Sequence, residues 1–108
     1  MELYGIKACD TCRKALKTLD GAGREVVFVD VRETPLARSV LESFQAAFGA
    51  ALMNTRSTTW RGLDEAARAG DPIELMLAHP TLMKRPVIRE ADGTLHLGWG
   101  KEVQVALS

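Results

Sequence analysis

A chain of 108 residues with 46% apolar content has room for one hydrophobic core and not for two. Its 14 basic residues offset its 14 acidic ones and are interspersed with them, which excludes the one-signed field of a direct nucleic-acid or membrane-surface binder. No apolar run is long enough to span a bilayer and the start carries no secretory pattern, so the expectation is one domain, residues 1–108, in the cytoplasm.

Glu2 to Ile6 reads as a short strand. Cys12, Ala15, Leu16 and Leu19 then follow the i, i+3, i+4, i+7 spacing of one helix face, with Arg13, Lys14 and Lys17 on the other, and Gly21 and Gly23 should end that helix. Val26-Val27-Phe28-Val29 is too short for a helix and too apolar for a one-sided strand, which predicts a strand buried on both faces and parallel to the first. Thr34-Pro35 has the form of an N-cap with proline at the first helical position, opening a helix through Leu36, Val40, Leu41, Phe44 and Phe48 to Gly49. A second helix is expected over Arg61–Ala69, stopped by Gly70. A third opens at the Asp71-Pro72-Ile73-Glu74 cap and stops before Pro80. Val87 and Ile88 read as a strand after Pro86, Ala91-Asp92-Gly93 as a turn, Leu95 to Leu97 as its antiparallel partner, and Lys101 to Leu107 as a terminal helix. This order predicts an α/β, thioredoxin-like fold: a four-stranded mixed sheet flanked by helices, with a helical insertion at about residues 35–79.

Both cysteines of the chain lie in Cys9-Asp10-Thr11-Cys12, between the first strand and the first helix. Backbone N–H groups and the helix dipole favour negative charge there, and the thiolate is the nucleophilic form of cysteine. Lys7 and Arg13 add positive charge nearby, while Asp10 opposes it. Two cysteines so spaced do not make the disulfide framework of a secreted miniprotein; they read as redox or metal chemistry. Zinc sites usually need four ligands, and neither His79 nor His96 has a spacing that would complete one, so no metal is expected. Thr11 is either a hydrogen-bond partner of the thiolate or a helix cap. Trp60 and Trp99 read as core or rim aromatics.

Three stretches together resemble the arsenate reductase family (ArsC/Spx-like) of the thioredoxin-like fold. They are Tyr4-Gly5-Ile6-x-x-Cys9-Asp10-Thr11-Cys12-Arg13-Lys14-Ala15, Asn54-Thr55-Arg56-Ser57-Thr58-Thr59-Trp60-Arg61, and His79-Pro80-Thr81-Leu82-Met83-Lys84-Arg85-Pro86-Val87-Ile88. The wording is nearest to the YffB-like branch, whose members resemble glutathione-dependent thiol reductases. The resemblance implies an enzyme without a bound cofactor, with Cys9 as nucleophile. Glutathione, together with glutaredoxin, or Cys12 would be the resolving thiol. It further implies that Arg85 precedes a cis-Pro86 set against the active cysteine. Arg56, Arg85, Pro86, Thr11 and Arg13 would surround a small anionic or glutathionylated substrate. Arsenate reductases of this type carry a third arginine after the last hairpin. Here that place is Leu97-Gly98-Trp99-Gly100, and two arginines neutralise arsenate less fully than three. The alternative is an Spx-type regulator that binds RNA polymerase and uses Cys9–Cys12 as a redox switch.

Overall fold

In the computed structural model, which describes residues 1–107, strand β1 (Glu2–Gly5) leads through the loop Ile6–Cys9 into helix α1 (Asp10–Gly21). The expected face of α1 is the buried one: Cys12, Ala15 and Leu19 are buried and Leu16 is half-buried. Gly21 is the last helical residue rather than a stop. Gly23 ends the helix at φ +81°, its N–H donating to the Asp20 carbonyl at 3.0 Å and that of Arg24 to the Leu19 carbonyl at 3.1 Å. These are the paired bonds of a Schellman cap, which needs a residue tolerant of positive φ. Strand β2 (Val27–Asp30) follows.

Helix α2 (Arg38–Phe48) begins later than Thr34-Pro35 predicts, and its N-cap is Ala37, without a side-chain cap. The Thr34 N–H closes a turn onto the Asp30 carbonyl at 2.8 Å, so that segment finishes β2 instead of starting a helix. The helix expected over Arg61–Ala69 forms only in its second half, since Arg61 instead ends a separate helix. Ser57 caps α3 (Thr58–Arg61) through the Trp60 N–H, and Asp64 caps α4 (Glu65–Arg68) through the Ala67 N–H. The second cap within the expected run restarts the helix, because a capping side chain offers the backbone an alternative to continuing it. Helix α5 (Pro72–Ala78) forms as predicted, with Asp71 accepting from the Ile73 N–H and proline in the first turn, and it ends before Pro80.

Strands β3 (Val87–Arg89) and β4 (Leu95–Leu97) make the expected hairpin, and helix α6 (Lys101–Leu107) follows. The sheet order is β2-β1-β3-β4, with β1 parallel to β2, antiparallel to β3, and β3 antiparallel to β4. The result is an α/β fold with a four-stranded mixed sheet flanked by helices. Leu3 and Ile88 are register partners on the two central strands, and both are fully buried in a core with Cys12, Ala15, Leu19 and Leu107. The prediction that β2 is buried on both faces does not hold. It is an edge strand whose Val27 is 62% exposed. An unbroken apolar run signals a strand without saying whether it has one neighbour or two.

The described residues form two compact units. Met1–Thr34 and the segment from Arg85 onward hold the sheet, α1 and α6; Pro35–Lys84 holds α2 to α5. Within the second unit, Leu41, Phe44, Ile73 and Met76 are buried, and Arg38 of α2 pairs with Glu42, Asp71 and Glu74. No helix among the described residues is long and apolar enough to cross a membrane.

Asp30, at the end of β2, is buried and charged. Its Oδ2 accepts the Lys7 N–H at 2.9 Å, and its Oδ1 accepts the Arg32 and Glu33 N–H groups at 2.9 and 3.1 Å. The Lys7 N–H first, against a desolvation cost, and then the other two amides hold the carboxyl below its usual range. A carboxyl with a depressed folded-state pKa contributes stability above its unfolded value, about pH 4, that is lost as pH falls through the folded one. Asp30→Asn should therefore cost about 2 kcal/mol near pH 7, with the loss shrinking below about pH 4. Denaturant melts of both proteins across that range check this; a constant difference would show that Asp30 is not the acid-sensitive group.

Candidate active site

Cys9 is the N-cap residue of α1, extended at φ −82° and ψ 117°, and half-buried. Its N–H donates to the Ile6 carbonyl at 2.9 Å, and its carbonyl accepts the Arg13 N–H at 3.0 Å, so the loop turns tightly into the helix. Cys12 lies one turn further along the apolar face and is fully buried. Both thiols are free.

The two thiols are electrostatically unlike. Burial raises the pKa of Cys9, but that effect is outweighed. The Cys12 backbone N–H, the Cys12 thiol and the Arg85 guanidinium all favour the Cys9 thiolate and together hold its pKa below the ordinary thiol value. The Cys12 N–H acts at longer range than a formal cap, since the Cys9 side chain makes no capping hydrogen bond. Burial pushes the Cys12 thiol up to about 11, despite the Ile6 backbone, and the neighbouring Cys9 pushes the same way.

The cation that acts on Cys9 is therefore Arg85. The expectation that Lys7 and Arg13 supply this charge is not met. Lys7 Nζ pairs with Glu33 at 2.9 Å, and Arg13 pairs with Asp10, so each is neutralised locally at the surface. Arg85 is half-buried, with its Nε out of solvent, and the Arg85–Pro86 peptide bond is cis, as the resemblance implies. Pro86 is fully buried, and its carbonyl accepts the Gly98 N–H at 2.8 Å. Gly98 has φ +81°.

The remaining candidates have the following local settings. Thr11 is exposed within the first turn and is not the cap, a place taken by Cys9. Arg56 belongs to the Pro35–Lys84 unit, exposed in a turn where its N–H donates to Asn54 Oδ1 at 3.2 Å. Trp60 lines an apolar cavity of about 340 Å³ in that unit with Leu52, Met53 and Met76, and Arg68 lies 5.7 Å from its ring centre. Trp99 packs against the core of the sheet unit. His79 caps the end of α5, and His96 pairs with Glu90 at 2.8 Å.

Two residues that build the site have roles that the sequence reading does not assign. Asp30 fixes the loop before Cys9 through the Lys7 N–H. An aspartate closing an apolar run and opening a polar turn is the available signal. Gly5 is the second: a Cβ placed there would lie 2.5 Å from Cys12 Sγ and 3.1 Å from Cys12 Cβ. A glycine inside an apolar strand signals such a close approach.

The ArsC family model matches residues 4–106. An uncharacterised protein of Haemophilus influenzae is 39% identical, the match covering 98% of this chain and 97% of that one. An arsenate reductase of Rhizobium meliloti is 31% identical over 85% of this chain and 70% of its own length. The solved structure of a YffB protein superposes with a TM-score of 0.88 at 39% identity, over 98% of this chain and 96% of that one.

Gly5→Ala should displace Cys12 from the face of β1 and lower stability by about 1–3 kcal/mol, the usual cost of overpacking a core. A thermal melt decides: an unchanged midpoint would mean that the Cys12 side chain gives way freely.

Proposed function

Because the chain belongs to the ArsC family, in its YffB-like branch, we propose that it is a cytoplasmic thiol-dependent reductase with Cys9 as nucleophile. The observation that carries this reading is the placement of two free thiols one helical turn apart, Cys9 half-buried at the N-cap of α1 and Cys12 fully buried, with Arg85 favouring the Cys9 thiolate. The half-buried thiol is poised to attack, and the buried one stays protonated as a donor toward it.

The substrate proposed is a small glutathionylated compound, and the chemistry is disulfide exchange. The Cys9 thiolate attacks one sulfur of the substrate's disulfide. A Cys9–sulfur bond forms, the substrate's S–S bond breaks, and the leaving sulfur departs as thiolate. A second thiol then attacks the substrate-derived sulfur of the mixed disulfide and the Cys9 thiolate departs, so that one thiol enters a disulfide for each thiol that the substrate releases. Glutathione suits the second step better than Cys12. Burial keeps the Cys12 thiol protonated. Arg85 favours the thiolate at rest and, by charge-assisted hydrogen bonds, the anionic groups of substrate or reductant.

Arg85→Ala should move the inflection of Cys9 alkylation to higher pH, because Arg85 is the cation that favours the thiolate. Peptide mapping after iodoacetamide, from pH ~5 to ~9, should find Cys9 modified well before Cys12 in the parent protein. Labelling that starts at Cys12, or an inflection that Arg85→Ala leaves in place, contradicts the assignment.

Arsenate turnover should be slow. A missing set of charge-assisted hydrogen bonds costs about 1.5–3 kcal/mol, roughly tenfold to a hundredfold in affinity. Parallel assays with arsenate and a glutathionylated substrate, with Cys9→Ser as blank, separate the two. Arsenate reduced as fast as by a three-arginine enzyme would refute the substrate class.

A further inference from the structure

Asp30 is out of place as a surface turn residue. The residue is buried, and its hydrogen bonds go to the backbone amides of Lys7, Arg32 and Glu33, with the Lys7 charge a lesser influence. Two of these close the turn after β2. The third crosses to the loop between β1 and α1, two residues before Cys9. That loop has few other holds: the Cys9 N–H is tied back to the Ile6 carbonyl, and the Val31 N–H is tied to the Gly5 carbonyl at 2.9 Å. Lys7 Nζ meets Glu33 on the same side, but that pair is exposed and contributes little.

We propose that Asp30 is a positioning residue for the nucleophile, clasping the Lys7 backbone so that Cys9 is held at the start of α1, where the Cys12 amide and Arg85 act on its sulfur. The inference rests on the reading of Cys9 as nucleophile. A thiol gains from a helix N-terminus and a nearby cation only at short range and fixed orientation. Loosening the loop at Lys7 lets the sulfur drift from both. Removing a negative charge, by Coulomb's law alone, would instead lower the pKa of any nearby thiol. The positioning role and a bare charge effect thus have opposite signs.

The test is the pH profile of Cys9 alkylation in the full chain, with folding checked by thermal melt, for the parent protein, Asp30→Ala and Asp30→Asn. Asparagine keeps one accepting oxygen and so can hold one side of the clasp. The Cys9 inflection should rise most in Asp30→Ala and less in Asp30→Asn, with alkylation about threefold to tenfold slower below the inflection and no loss of rate at the high-pH plateau. Amide exchange at Lys7 should quicken in step. An inflection that stays put or falls in a folded variant overturns the positioning role. Should Asp30→Ala fail to fold, Asp30→Asn decides by the same criterion. A parent protein whose Cys9 titrates as an ordinary thiol would refute the nucleophile reading itself, before any variant is compared.

Discussion

The closeness of α1 to β1 governs the site. Cys12 Sγ rests on the bare α-carbon of Gly5, at a distance no Cβ would permit. This one contact lets the helix lie low on the central strand, so that Cys12, Ala15 and Leu19 enter the same core as Leu3 and Ile88. Because the helix is anchored at its first turn, its N-terminus is fixed against the sheet, and Cys9 sits at that end. The packing of the buried thiol thereby places the half-buried one.

The asymmetry between the cysteines follows from that placement. Both belong to the same tetrapeptide, and neither has an intrinsic preference. One turn of helix moves the second from the half-open mouth into the dry interior, where charge is costly, while the first keeps an amide, a thiol donor and a guanidinium on its side. Arg85 reaches this position from the far end of the chain because β3 pairs with β1. The cation and the Cys9 thiol are joined through the sheet, not through local sequence.

That distinction explains what was legible in the sequence. Elements whose signal is local are legible: the apolar face of α1, the Asp71-Pro72 cap of α5, the hairpin around Gly93, and the strand-to-helix loop that carries Cys9. The errors arose where a local signal had a nonlocal competitor. Thr34-Pro35 looks like a helix start, but the Thr34 amide is claimed by the Asp30 carbonyl. Lys7 and Arg13 are the cations nearest to Cys9 in sequence, yet each is claimed by a carboxylate. Val26–Val29 is apolar enough for a central strand and still lies at the edge, since strand order is set by how the whole chain wraps. The roles of Asp30 and Gly5 go unassigned for the same reason: each matters through a partner in another element.

Gly98 bears on how such a protein could change its chemistry over time. Its N–H is bonded to the carbonyl of Pro86, and its backbone lies at φ +81°, where an L side chain is disfavoured by about 1 kcal/mol or more. A single codon change that put arginine at this position would gain charge and pay for it in the turn that braces Pro86. Charge and backbone are therefore coupled at this position: the turn must be rebuilt with or before any new side chain that brings a charge there.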